Sequence, residues 1–445
     1  MSNAFDVAVI GGGVAGLCAA TALTEAGRRV VVLEARGRLG GRATSFVDRV
    51  TGERVDNGQH VLFGCYRESF RFLERVSALG NVRVQPLLNV PFLDRDGQRS
   101  VLKCPPLPSP LHLMAAIFEW EALPWRDRFQ ALRMGRALVR ARRKGIQVDA
   151  SHTVSQWLTQ HGQDGRIRRW LWEPLAVAAL NQSPAEASAV PFIRVLVEMF
   201  GPDPADASLV FPLTPLDAMY AAPAQRYLEA RGSEVHNHSP ARVYLSAGQI
   251  DRIETLGDAV DARHVIVAVP WYGLSSVFGG DTSGISEFLT NASRTVSKPI
   301  VTVNLWYDRQ VMDDLFVGLP ERTMQWVFDK RRAFGERASH LSLVSSGADA
   351  LVGLDTDALV AIAAREIAEA IPGARDAVLR RGTVIREKHA TFSLAPGQPP
   401  RPGVVTGVRG LCLAGDWIDT GLPGTIESAA IAGHRAARAM LDSET

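Results

Sequence analysis

Asp6-Val7-Ala8-Val9-Ile10-Gly11-Gly12-Gly13-Val14-Ala15-Gly16-Leu17 opens a stretch that runs to Arg42 and decides the fold. Val7 to Ile10 is a short β-branched strand that ends in a glycine turn. The turn opens into an apolar helix carrying Leu17, Ala20, Leu23 and Thr24, which stops at Gly27. Val30 to Leu33 makes the return strand. Glu34 stands at its end, about 20 residues past the first glycine, where a carboxylate can accept hydrogen bonds from the ribose hydroxyls of a dinucleotide. The glycines have separate tasks: Gly11 makes the tight turn, Gly13 lets the backbone approach a pyrophosphate, and Gly16 lets helix and strand pack closely. The helix N-terminus then offers the phosphates free N–H groups and a partial positive charge. A lone GxGxxG marks only a glycine-rich turn. Strand, helix, return strand and acid together mark a dinucleotide site in an α/β domain.

Beyond it, Glu34-Ala35-Arg36 runs on to Leu39-Gly40-Gly41-Arg42-Ala43, a second glycine turn with two arginines. This resembles the FAD signature of the flavin amine oxidase and phytoene desaturase superfamily rather than an NAD site. The resemblance implies a Rossmann-like FAD-binding domain of the glutathione-reductase type, interrupted by an inserted α+β substrate domain. It places FAD contacts on Gly11, Gly13, Val14, Ala15, Gly16, Glu34, Ala35, Arg36, Gly40, Gly41 and Arg42. Asp56-Asn57-Gly58-Gln59-His60 matches a D-x-G-x-H segment that lies against the flavin in that superfamily, which adds Gly58, Gln59 and His60. By the same likeness Val243 would lay its backbone on the adenine.

With 445 residues, 46% of them hydrophobic and 22% charged, the chain can bury large cores and exceeds one ordinary domain. A formal charge of +2, with no interleaving of aromatic and basic residues of the kind single strands need, argues against nucleic acid as a partner. Cys18, Cys65, Cys104 and Cys412 are scattered without disulfide or metal spacing, which predicts no metal and a reducing, cytoplasmic setting. A strand begins within six residues of Met1, leaving no room for a signal peptide. No window approaches the ~18 uninterrupted apolar residues of a membrane-spanning helix.

Cys104-Pro105-Pro106-Leu107-Pro108-Ser109-Pro110 breaks the chain, and helical sequence then dominates to about Phe200. Leu111, Met114, Ala115 and Phe118 recur at helical spacing, followed by Leu123, Trp125, Phe129 and Leu132. From Arg126 to Lys144 eight basic residues face the single acid Asp127. Such a run is usually a solvated helix face; with aromatic and apolar residues beside it, the region 111–147 also reads as a patch that lies on a membrane. Trp170 to Asn181 is almost wholly apolar and reads as core or as the wall of an apolar pocket. Val265 to Val269 has the continuous apolar pattern of a buried parallel strand. Lys298 to Asp308 and Leu341 to Val344 point to a mainly antiparallel sheet, and Thr356 to Ala370 is an amphipathic helix. Gly410 to Trp417 is a buried strand ending in Gly415-Asp416, where backbone and carboxylate can meet the ribityl chain. Pro423-Gly424-Thr425-Ile426 then starts a helix whose N-terminus faces the flavin ring. The expected division is an FAD-binding domain of residues 1–88, 208–285 and 388–445 and a substrate domain of 89–207 and 286–387.

Trp172-Glu173-Pro174-Leu175, Ala179-Leu180-Asn181, Pro184 to Ala189, Pro299-Ile300-Val301, Arg386 to Phe392 and Leu413 to Ala429 resemble the bacterial hydroxysqualene dehydroxylases of squalene and hopanoid synthesis. That branch implies reductive removal of the hydroxyl from a C30 isoprenoid alcohol, with FAD as redox carrier. Departure of the allylic hydroxyl as water leaves a delocalised cation for hydride to quench, which requires a proton donor and a dry pocket. His60, Glu173 and Asp419 are the candidate donors. No His or Cys stands in an attachment motif at the C-terminal flavin segment, so FAD is expected to be non-covalent. No second nucleotide fingerprint is present, so an unidentified reductant or reductase is required. The protein is expected in the cytoplasm, peripheral on the inner face of the membrane. The competing readings are a phytoene-type desaturase, with electrons flowing the other way, and a flavin amine oxidase. The latter branch carries a flavin-facing lysine about six residues before an acid, where counting back from Asp308 gives Thr302. A prenyl-group binder of the Rab escort type shares the fold without the flavin chemistry.

Overall fold

The computed structural model describes residues 5–256, 258–335 and 339–442. The opening stretch folds as its pattern predicts, with strand Phe5–Ile10, helix Val14–Glu25 and strand Val30–Leu33. These strands sit inside a five-stranded parallel sheet. Glu234–His236 lies outside Val30–Leu33, and Ala262–Val267 and then Leu411–Leu413 lie beyond Phe5–Ile10. The central strands are apolar on both faces: one face packs on helices Val14–Glu25 and Ile426–Asp442, and the other meets Val243, Leu245 and Ile253 of a four-stranded sheet. Helix Val14–Glu25 packs on the C-terminal helix Ile426–Asp442 so closely that a Cβ on Gly433 would fall 2.3 Å from the Ala15 carbonyl oxygen. Gly16 is needed for the same reason, since a Cβ there would lie 2.0 Å from the Gly11 oxygen. Chain segments from the start, middle and end of the sequence thus converge at the C-terminal edge of one sheet, where α/β folds of this kind place ligands.

The second unit is a seven-stranded sheet. Its order is Leu379–Phe392, Ser297–Tyr307, Ser339–Ser346, Trp326–Asp329, Phe316–Gly318, Asn89–Leu93 and Arg99–Lys103. All pairings are antiparallel except that of Phe316–Gly318 with Asn89–Leu93. One face packs on helix Thr356–Ala370 through Leu359, Ala363 and Ile367, with Val301, Val303, Leu341 and Leu343 in the same core. The 14-residue strand Leu379–Phe392 pairs with Ser297–Tyr307 to its last residue. The ladder therefore runs through the domain boundary expected at 387/388 and carries this sheet on to Phe392. A helical layer lies over the other face and includes Leu111–Glu119, Trp125–Lys144, Glu173–Leu180 and Ala189–Met199.

Within the expected membrane region the break falls at Trp120–Pro124, and Gly145, at φ +79°, ends the second helix. That helix buries Asp127, Ala131, Met134 and Leu138 and leaves Trp125 64% and Phe129 58% exposed. Leu111 on the preceding helix is 56% exposed. Among the described residues, no helix is long and apolar enough to cross a membrane.

Candidate active site

Between the two sheets lies a cavity of about 620 Å³. Its upper wall is built from the two glycine turns, which are held together: the Gly40 N–H donates to the Gly12 carbonyl at 2.8 Å. Glu34, 7% exposed, locks the same turn, with Oε2 accepting from the Gly12 N–H at 2.7 Å and Oε1 from the Arg36 N–H at 2.8 Å. Each oxygen keeps a lone pair for a further donor. Gly13 has ordinary extended backbone, φ −79° and ψ −177°, and a Cβ there would meet only Gly41 Cα at 3.9 Å. Neither backbone strain nor crowding from the protein calls for glycine at this position. What the glycine keeps free is the cavity itself.

Asp416 and Arg42 stand side by side. The Arg42 guanidinium donates to Asp416 Oδ1 at 2.5 Å and to the Ala390 carbonyl at 2.8 Å, and lies over the Trp271 ring. Gly424, Thr425 and Ile426 complete this side at the start of the C-terminal helix.

The loop Asn57–His60 forms the next wall. Gly58 has φ +85°, and a Cβ on it would find only Thr302 Oγ1, at 3.6 Å. His60 Nδ1 lies 2.9 Å from the Gly58 carbonyl oxygen. A carbonyl only accepts, so Nδ1 carries the hydrogen and Nε2 is the nitrogen left to exchange a proton. Burial lowers the pKa of His60, and the nearby charges of Lys330 and Arg42 lower it further against the opposing pull of the Gly58 carbonyl and Asp56. Lys330, 1% exposed, donates at 2.7 Å both to Asp56 Oδ2 and to Gln59 Oε1, tying this loop to the seven-stranded sheet. Asn57 Nδ2 donates to Glu387 Oε2 at 3.0 Å.

The floor is one face of the seven-stranded sheet, and all seven strands contribute: Glu387 and Ile385, Ile300 and Thr302, Ser346 and Val344, Trp326 and Phe328, Phe316, Val90 and Phe92, and Leu102. Six interstrand steps of ~4.8 Å make this floor roughly 29 Å wide. Its polarity is graded. Glu387, Thr302 and Ser346 lie on three adjacent strands at the end beside Gly58, and the last four strands give only aromatic and aliphatic side chains. Trp170, Leu171, Pro174, Leu175 and Ala178 lie across from it.

Most residues singled out in the sequence meet here: Gly11, Gly13, Val14, Ala15, Glu34, Ala35, Arg36, Gly40, Gly41, Arg42, Gly58, Gln59, His60, Gly415, Asp416, Gly424, Thr425 and Ile426 all line the cavity. Gly16 is instead a packing position, Val243 is fully buried in the core, and Pro423 lines a neighbouring groove. Two of the three candidate proton donors lie outside it. Glu173 bonds Arg168 Nε at 2.8 Å, and the Asp419 side chain is 61% exposed and accepts from Arg401 at 3.1 Å. Each carboxylate is held by an arginine and neither lines the cavity. Sequence reasoning missed Glu387, Asn57 and Lys330 as groups of the site. Lys298 donates to Glu186 and Asp349, away from the cavity, while Thr302, six residues before Asp308, lines it. Among the described residues, no cluster of His, Cys, Asp or Glu could hold a metal ion.

Residues 14–441 match the family of flavin containing amine oxidoreductases. The chain is 28% identical to the hydroxysqualene dehydroxylase of Sinorhizobium fredii, covering 99% of both chains, and 31% identical to that of Rhodopseudomonas palustris, covering 98% of both. It is also 25% identical to the zeta-carotene desaturase of Synechocystis sp., over 98% of this chain and 97% of that one. An oxidoreductase from Methanosarcina mazei has the same fold, with a TM-score of 0.76 at 16% identity, covering 97% of this chain and all of the other.

Proposed function

We propose that this chain, which belongs to the flavin containing amine oxidoreductase family, binds FAD non-covalently and reductively removes the hydroxyl of hydroxysqualene, a C30 allylic alcohol, to give squalene. One observation carries the substrate class: the cavity floor, roughly 29 Å wide across seven strands, is polar only at the end beside Gly58. A long hydrocarbon with one polar group at the reacting carbon suits that gradient, because burying its chain releases water from apolar surface on both partners. The dehydroxylase relatives support the same reading. A desaturase acting on a similar hydrocarbon is the second reading, favoured by the 25% identity to a zeta-carotene desaturase.

The residues fit FAD. The space left open by Gly13 and Gly41 would take the pyrophosphate, Glu34 the ribose, and Asp416 with the N-terminus of Ile426–Asp442 the ribityl and ring region. The chemistry that reduced FAD supplies when bound is hydride delivery to the carbon losing its hydroxyl. The chain's own part is to seat the hydrocarbon, exclude water and provide a proton to the departing oxygen. His60 holds that proton at Nε2 in its protonated form, with Nδ1 fixed on the Gly58 carbonyl. Counting six residues back from Asp308 gives Thr302 and not a lysine, and Thr302 lines the cavity, which favours the dehydroxylase over an amine oxidase.

This role has a pH signature. Dehydroxylation needs protonated His60, so kcat/KM is expected to fall as pH rises through a pKa below the ordinary histidine value of about 6.5. His60→Ala should lower kcat roughly a hundred- to ten-thousand-fold and abolish that limb. A limb that survives in His60→Ala would assign the proton elsewhere, with Glu387 the next group to test.

The exposed Leu111, Trp125 and Phe129 beside the basic helix support peripheral attachment to a membrane, from which the hydrocarbon would be drawn. Replacing Arg140, Arg142, Arg143 and Lys144 with Gln should weaken binding to anionic liposomes by about 1 kcal/mol per charge at low salt. Equal cosedimentation of variant and parent would remove these residues from the account. The proposed activity itself is tested by mass spectrometry of products after incubating dithionite-reduced enzyme with hydroxysqualene. Squalene is expected; a recovered alcohol, with phytoene dehydrogenated by the oxidised enzyme, would favour the desaturase.

A further inference from the structure

The far end of the cavity floor is shaped by a missing side chain. Gly318 lies two residues from Phe316 on the same face, with Trp326 as its register partner on one side and Phe92 on the other. A Cβ at Gly318 would fall 2.6 Å from the Phe92 ring and 2.9 Å from the Trp326 ring, so both rings lean over the glycine. The φ of Gly318 lies outside the left-handed region, so the backbone does not require glycine there and the rings do. The Phe92 and Trp326 centroids are 6.0 Å apart, and Phe92 backs onto Trp120 at 5.1 Å. Phe92 is 3% and Trp120 1% exposed. Behind Phe92 lies the packed Trp120, so this ring closes the cavity on its side.

From this geometry we infer that Phe92 and Trp326, seated on Gly318, form the end wall that sets how long an apolar chain the site accepts. The inference rests on the reading of the cavity as an isoprenoid site. Trp326 stands two interstrand steps from the Thr302 strand and Phe92 four, about 10 and 19 Å, a range suited to one arm of a C30 chain that reacts near its middle. The rings act as a specificity-determining stop. A chain that fits fills the slot up to them, one with a longer arm must fold back or displace a packed ring, and one with a shorter arm leaves a void whose lining loses its contacts.

Two substitutions move the stop in opposite directions. Phe92→Ala removes the farther ring and should shift the kcat/KM ratio about tenfold or more toward an alcohol with one arm longer by an isoprene unit. Gly318→Ala forces both rings into the cavity and should shift the ratio the other way, toward the shorter-armed alcohol. Phe92→Leu serves as the milder variant should Phe92→Ala not fold. A second readout needs no turnover: titration with saturated C25, C30 and C35 isoprenoid alkanes, followed through perturbation of the bound-flavin absorbance, should show the same displacement of preferred length. Unchanged length preference in folded, flavin-loaded Phe92→Leu and Gly318→Ala overturns the inference. If the alkane preference moves as expected but no allylic alcohol is turned over by the parent, the end wall stands and the dehydroxylase reading falls.

Discussion

Gly13→Val is expected to give a folded protein with no flavin. The backbone at Gly13 is extended and a Cβ there has no protein neighbour closer than 3.9 Å, so the substitution leaves the fold intact. Valine methyls would instead occupy the space between the two glycine turns where a pyrophosphate must come against backbone N–H groups. Gly16→Val provides the contrast. Its Cβ would lie 2.0 Å from the Gly11 carbonyl oxygen, so that variant should lose the fold and the flavin together. The check is circular dichroism alongside the flavin released on denaturation. A yellow Gly13→Val protein with full flavin occupancy would move the phosphate site away from these turns.

The other large effect concerns Lys330. Its ammonium is buried with Asp56 and Gln59 at 2.7 Å and lies over the Phe334 ring at 3.7 Å. Lys330→Met leaves the Asp56 carboxylate buried without this counter-charge, which should destabilise the protein by about 3–5 kcal/mol. The Lys330→Met, Asp56→Asn double variant removes both charges and lets the amide oxygen keep its bonds from Ser45 Oγ and the Leu216 N–H. It should recover most of the loss. Urea denaturation measures both, and a loss below about 1 kcal/mol for the single variant would mean that water reaches this pair.

Much of the nucleotide half is readable along the chain because its chemistry is local. Gly11, Gly13, Gly16 and Glu34 lie within one strand–helix–strand unit whose spacing fixes their geometry, and Gly415-Asp416 ends a recognisable buried strand. The amphipathic helix Thr356–Ala370 has the bounds its periodicity predicts. What escapes the sequence depends on pairing across long separations. Lys330 meets Gln59 over 271 positions and Asn57 meets Glu387 over 330, and no local pattern marks either pair. The strand Leu379–Phe392 also escapes, because it is only part-buried along most of its length and carries Arg386, Glu387 and Lys388 in its middle, so the apolar alternation of a strand is absent. Glu173 and Asp419 mislead in the opposite way. Both stand in segments that do line or flank the cavity, yet each carboxylate is engaged by an arginine and lies outside it.

The central claim is the direction in which electrons move, and a single anaerobic titration tests it. The bound flavin is reduced, hydroxysqualene is added, and the return of oxidised-flavin absorbance is followed while squalene is quantified by mass spectrometry. Reoxidation is expected, with one squalene formed for each flavin oxidised. Reduced flavin that persists in the presence of the alcohol, together with bleaching of the oxidised enzyme by phytoene or an amine, would contradict it.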